Sequence, residues 1–156
     1  MPSILLIEDN PDDEALTLRA FRRSNVRNEI AVVRDGEEAL HYLYATGVHA
    51  DRVAPALPQV VLLDLKLPKI DGLQVLRRIR QDRRTALLPV VILTSSREES
   101  DLIDGYRLGC NSYVRKPVDF DAFAEAARYL GHYWLLINEI PPTSSPEPTD
   151  DRPPQP

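Results

Sequence analysis

Residues 59–72 read QVVLLDLKLPKIDG, and the apolar run Val60-Val61-Leu62-Leu63 inside them stops abruptly at a carboxylate, Asp64. An apolar run without polar alternation fits a central strand of a parallel sheet covered by helices on both faces. Ligands of open α/β sheets collect beyond the carboxyl ends of the strands, which is where Asp64 would stand. A single acid at a strand end needs no explanation beyond solvation. Asp64 gains weight from the residues that the rest of the chain brings to the same edge.

Toward the N-terminus, residues 3–7 form another apolar run that also ends in acids, Glu8 and Asp9. Pro11 suits a first helical turn, Asp12, Asp13 and Glu14 suit the positive end of a helix, and Ala15, Leu18 and Phe21 give an apolar stripe ending near Ser24. Residues 30–33 read as a strand, Asp35-Gly36 as a turn, and 37–44 as a helix with Ala39, Leu40 and Leu43 inward. Residues 46–58, with Gly47, Pro55 and Pro58, read as a long loop.

Beyond Asp64, the turn Asp71-Gly72 caps a third helix carrying Leu73, Leu76 and Ile79. Residues 90–93 form a fourth strand that ends in the hydroxyls of Thr94, Ser95 and Ser96. Residues 98–108 read as a helix with Leu102, Ile103 and Tyr106 apolar, closed by Gly109. A fifth strand, 112–115, leads into Lys116-Pro117, and Asp119 caps a last helix through Phe123, Ala127, Leu130 and Trp134 as far as Ile137. Residues 1–140 thus make one domain. Residues 141–156, PPTSSPEPTDDRPPQP, are too poor in apolar side chains to bury a core and are expected to form a disordered tail.

With 156 residues, 43% hydrophobic and 28% charged, the chain has the composition of one soluble globular domain. Its net charge of -5 offers no general attraction to phosphate backbones, so nucleic acid is not an expected partner. No apolar run is long enough to cross a bilayer, and the N-terminus has no basic region ahead of its apolar stretch, which points to a cytoplasmic protein free of the membrane. The single Cys110 cannot pair within the chain and is expected to be a small buried side chain.

Strands alternating with helices imply right-handed crossovers and a doubly wound, flavodoxin-like α/β fold with a parallel sheet of order 2-1-3-4-5. That order makes strands 1, 3 and 4 neighbours. It collects Glu8, Asp9, Asp64 and Thr94 at one rim, and strand 5 delivers Lys116 there. Clustered carboxylates raise one another's pKa unless a cation intervenes. Mg²⁺, which uses one or two carboxylates and keeps waters for phosphate oxygens, suits such a rim. A carboxylate beside it can attack phosphorus, giving an aspartyl phosphate with Asp64 as nucleophile. Asp9 and Asp64 would hold the ion, while Lys116 and Thr94 would stabilise the phosphoryl oxygens.

The stretches ILLIEDN, VVLLDLKLPKIDG, VVILTSS and SYVRKP resemble the motifs of CheY-like response-regulator receiver domains, over roughly residues 3–130. By that resemblance Glu8 and Asp9 are the acidic pair, with Glu8 reaching the metal through water. Asp64 is the phosphoacceptor, and the backbone carbonyl of Lys66 is a further metal ligand. Thr94 and Tyr113 are the switch residues, and Lys116-Pro117 is a cis peptide. The resemblance implies a protein that is not an enzyme but takes a phosphoryl group from a sensor histidine kinase and signals through protein contacts. EDNPDD, the long loop and the extended last helix resemble more narrowly the stand-alone regulators paired with bacterial phytochromes. Lys66 departs from that group, which more often has an amide at this position.

Two other functions share part of this pattern. A haloacid dehalogenase-like phosphatase also phosphorylates an Asp at a strand end, but it needs a second Asp where this chain has Lys66. An interaction module without phosphorylation would lack part of the pocket, yet every member of it is present. Arg77, Arg78, Arg80, Arg83 and Arg84 read as a solvated basic face. On the last helix Phe123, Ala126, Ala127, Leu130, Trp134 and Ile137 form a stripe facing the sheet. A second stripe, Tyr129, Tyr133, Leu136 and Ile140, lies about 110° around it and predicts a homodimer interface.

Overall fold

The computed structural model describes residues 4–52 and 57–142. Five strands alternate with helices: β1 (Ile4–Ile7), α1 (Pro11–Arg23), β2 (Ile30–Val33), α2 (Gly36–Tyr44), β3 (Val60–Leu63), α3 (Gly72–Gln81), β4 (Val90–Thr94), α4 (Glu99–Arg107), β5 (Ser112–Arg115) and α5 (Phe120–His132). The strands are all parallel, in the order β2-β1-β3-β4-β5. This is the expected flavodoxin-like topology. β1, β3 and β4 are buried at every residue, because helices cover both faces of the central sheet.

Successive side chains of a strand point to opposite faces, and the core divides accordingly. Leu5, Ile7, Val61, Leu63 and Ile92 pack with Leu40, Leu43, Val75, Leu76 and Ile79 on one face. Ile4, Leu6, Val60, Leu62 and Val91 pack with Phe21, Phe123, Ala127 and Trp134 on the other. Cys110 is buried in the first of these clusters, as expected. Arg19 and Arg23 lie over the Phe120 ring, 4.8 and 5.6 Å from its centroid, and help to seat α5 against α1.

Local chemistry agrees with the element boundaries. Asn10 caps α1 by accepting from the amides of Asp12 and Asp13, with Pro11 at the first helical position. Asp71 and Gln74 form a reciprocal capping box on α3. Gly72 follows the cap because the chain passes so close to β3 that a Cβ there would stand 2.2 Å from the Asp64 carbonyl oxygen.

Several expectations are corrected. Arg80 does not belong to a solvated face. Its guanidinium donates to the carbonyls of Ala86, Leu88 and Gly109 and to Asn111 Oδ1, at 2.8–3.2 Å. It thereby ties α3 to the segments before β4 and β5, whereas Arg77, Arg78, Arg83 and Arg84 are exposed. The loop after α2 contains a 3₁₀ turn, Gly47–His49, whose His49 lies 3.2 Å from Glu38 and edge-on to the Tyr42 ring. The last helix changes to a π-helix over Tyr133–Ile137. The wider turn keeps Trp134 buried but rotates Ile137 away from the sheet, leaving it 59% exposed. The backbone turns extended at Asn138, so Ile140 leaves the helical stripe. Ile140, Pro141 and Pro142 instead line a groove with Leu57, Pro58 and Leu87. The expected tail otherwise falls outside the described residues. Among the described residues, no helix is long and apolar enough to cross a membrane.

Candidate functional site

The carboxyl ends of β1, β3, β4 and β5 bring Glu8, Asp64, Thr94 and Lys116 into one pocket, as their spacing predicts. Backbone pairing sets the positions: the Asp64 amide donates to the Ile7 carbonyl at 3.1 Å, and the Lys116 amide donates to the Thr94 carbonyl at 2.8 Å. Glu8 and Asp64 are 2% and 6% exposed. Asp64 Oδ1 accepts from Thr94 Oγ1 at 3.1 Å and from the Lys66 amide at 3.2 Å. Asp64 Oδ2 accepts from Lys116 Nζ at 3.0 Å.

Lys116 Nζ also donates to both Glu8 oxygens at 3.1 Å and to Asp13 Oδ2 at 2.9 Å. Glu8, Asp13 and Asp64 each offer an oxygen within 4.8 Å of the others, a hard-donor set that fits a divalent cation. In the sequence Asp13 is a first-turn acid of α1, and only the fold adds it to the pocket. The clue in the sequence was its place one helical turn beyond the β1 acids. Asp9 lies outside this cluster. It is exposed and lines an open cleft of about 450 Å³ of mixed character, with Lys66, Asp71 and Asp101 beside Leu65, Leu67 and Leu73.

Burial and the neighbouring Asp64 raise the Glu8 pKa to about 9, with Lys116 only partly opposing them. Burial would also raise that of Asp64, but hydrogen bonding to Glu8 and the Lys116 ammonium hold it below the ordinary value. Lys116 is held in its charged form, because Asp64, Asp13 and Glu8 outweigh the burial that would lower its pKa. At neutral pH this combination leaves Asp64 ionised and Glu8 protonated. Asp64 is the better nucleophile of the two.

A chain of polar contacts leads from Asp64 toward α4. Thr94 Oγ1, donating to Asp64, accepts from the Ser96 amide at 3.2 Å. Ser96 Oγ donates to Asp101 Oδ2 at 2.6 Å and accepts from the Glu98 amide at 3.3 Å. The Tyr113 hydroxyl is buried and has no hydrogen-bond partner among the described residues. Burial raises its pKa, opposed in part by the nearby Ser96 side chain. The hydroxyl of this expected switch residue thus points into the interior.

A family model for the response regulator receiver domain matches residues 4–128. The chain is 41% identical over 138 residues to the probable methanogenesis regulatory protein FilR2 of Methanothrix harundinacea, covering 88% of this chain and 86% of that protein. Among solved structures, the bacteriophytochrome response regulator AtBRR is similar at 52% identity and a TM-score of 0.70, over 87% of this chain and 96% of that one. The Mn²⁺-bound form of the response regulator Rcp1 is similar at 32% identity and a TM-score of 0.80, over 90% and 99% of the two chains.

Proposed function

This chain belongs to the response regulator receiver domain family of two-component signalling, and from that premise we propose that Asp64 accepts the phosphoryl group from a sensor histidine kinase. The observation that carries this reading is the Asp64 carboxylate itself. It is buried at the end of β3, held ionised, and fixed by Thr94, the Lys66 amide and Lys116. One Asp64 carboxylate oxygen attacks phosphorus as the P–N bond breaks, and the electron pair of that bond stays with the kinase imidazole, which is protonated on its other ring nitrogen and so leaves neutral. Thr94 and Lys116, already on the two Asp64 oxygens, are placed to donate to phosphoryl oxygens as charge develops.

Divalent metal binding belongs to the family's acidic pocket, and Mg²⁺ is the ion proposed here. Asp9, Asp64 and the Lys66 carbonyl would hold it, with Glu8 reached through water, and it would neutralise phosphoryl oxygens. Asp64→Asn keeps the shape and removes the nucleophile. It should abolish the base-labile phosphoryl group formed from phosphohistidine, and normal labelling of the variant would remove Asp64 from this role.

The likeness to AtBRR supports a kinase of the bacterial phytochrome type, in a cytoplasmic pair. Tyr129, Tyr133 and Leu136 expose 61%, 48% and 73% of their surface, with Ile137 added to them by the π-turn. Such a patch supports a homodimer through the end of α5. Sedimentation should show a dimer at tens of micromolar that a Tyr133→Glu, Leu136→Glu double variant dissociates. A wild-type monomer at that concentration, or a variant that stays dimeric, would refute it.

A further inference from the structure

We propose that Asp13 is a positioning residue that keeps the Lys116 ammonium in the pocket when a divalent cation enters it. The proposal rests on the reading of Lys116 as the group that meets the phosphoryl oxygens. An ammonium has three N–H donors, and Lys116 engages them with Glu8, Asp64 and Asp13. Glu8 and Asp64 are strand-end residues deep in the pocket, and a divalent cation would seek their oxygens, with Asp13 the third oxygen of the same cluster and the most exposed of the three. A cation drawn to them competes with Lys116 for its partners and repels its charge. Asp13 alone approaches Lys116 from α1, with a side chain 33% exposed and the shortest of the contacts, 2.9 Å.

Its geometry is set by the helix start and not by the pocket. The Asp13 amide donates to the Asn10 cap at 3.1 Å, and its carbonyl accepts from Thr17 Oγ1 at 2.8 Å. The backbone that carries the carboxylate is therefore held in place whether or not the strand-end acids change partners. With Asp64 engaged by the ion and Glu8 by its water, Asp13 would retain the ammonium beside Asp64 and leave N–H donors free for phosphoryl oxygens. Without it, Lys116 is left between a dication and solvent.

Two measurements on the full chain test this. In Mg²⁺-saturated wild type, the Lys116 side-chain ammonium should give a slowly exchanging ¹H–¹⁵N signal, and Asp13→Asn and Asp13→Ala should each lose it. The limiting rate of phosphoryl acceptance from a small phosphoramidate, at saturating Mg²⁺ and donor, should fall roughly tenfold or more in either variant, as for loss of a charge-assisted hydrogen bond. In a Lys116→Ala background the same Asp13 changes should have no further effect on that rate. An ammonium signal that persists in both variants, or equal fold-losses in the two backgrounds, overturns the proposal. If wild type accepts no phosphoryl group, the reading of Asp64 fails, while the ammonium signal still decides the role of Asp13.

Discussion

α3 and α4 each follow a strand that ends in a residue of the site, Asp64 for β3 and Thr94 for β4, yet they are attached in opposite ways. α3 buries Gly72, Val75, Leu76 and Ile79 and is closed by its capping box, with Arg80 bonded across to neighbouring segments. α4 buries only Gly105, and its cap residue Glu98 makes no side-chain bond to it. Ser96 and Asp101 hold its first turn instead, and that tie leads back through Thr94 to Asp64. One wall of the site is anchored by apolar burial. The other is anchored by polar bonds that run through Thr94 to Asp64, so a change at Asp64 is expected to reach α4 first. A helix held by few buried contacts is also the one that opens or shifts at low cost.

The largest test of this contrast is Leu76→Ala, which should cost about 2–5 kcal/mol in urea unfolding. Ile103→Ala on α4, where the side chain is 43% exposed, should stay within about 0.5 kcal/mol. Equal losses would erase the distinction between the two walls.

Alkaline pH should act on the pocket next. The Glu8 pKa lies at about 9 in the fold against an ordinary 4.5, so the folded state holds the extra proton. The stabilisation is complete below 4.5 and is lost as pH rises through about 9. Metal-free protein should accordingly melt at a lower temperature at pH 9.5 than at pH 7. Amide exchange at Ser96 and Glu98 should accelerate before that at Val75 and Leu76. An unchanged melting temperature would show that Glu8 carries no such proton.

The smallest expected effects separate the two kinds of cap. Asp71→Ala should cost about 1 kcal/mol of global stability, because α3 cannot leave the core on its own. Ser96→Ala removes bonds of similar size, about 1 kcal/mol, but should show as faster exchange confined to the first turn of α4. A global loss from Ser96→Ala would mean that α4 is fastened as firmly as α3.

Much of this site was legible because strand ends are legible. The uninterrupted apolar runs of β1, β3 and β4 mark buried strands, and the first polar residue after each must lie at the sheet edge. Glu8, Asp64 and Thr94 follow from that rule, and the strand order brings them together with Lys116. Asp13 was not legible as a partner of Lys116. An acid in the first turn of a helix already has a sufficient local reason to be there, in the helix dipole. Arg80 was hidden for a similar reason, since a guanidinium among four other arginines reads as surface until carbonyls are found around it.

At the C-terminus the helical spacing of α5 identified Tyr129, Tyr133 and Leu136 as an exposed stripe, and it failed at Ile137 and Ile140. Periodicity assumes a uniform turn, and the π-turn breaks that assumption after His132. On α4 the apolar residues Ile103 and Tyr106 stand outward and Gly105 faces the sheet, where a Cβ would meet Ile92 at 2.9 Å. On this helix the apolar residues alone do not mark the buried face, because the approach to β4 leaves no room for a side chain at Gly105.

By itself the sequence determined the parallel sheet, its order, and that Glu8, Asp64, Thr94 and Lys116 meet at its edge, because burial on both faces and right-handed crossovers allow few alternatives. Only the tertiary structure decided which carboxylates share the Lys116 ammonium, which of the buried acids keeps its proton, and how α4 is fastened. Those outcomes depend on distances of about 3 Å between groups far apart in the chain, where desolvation and charge are balanced pair by pair.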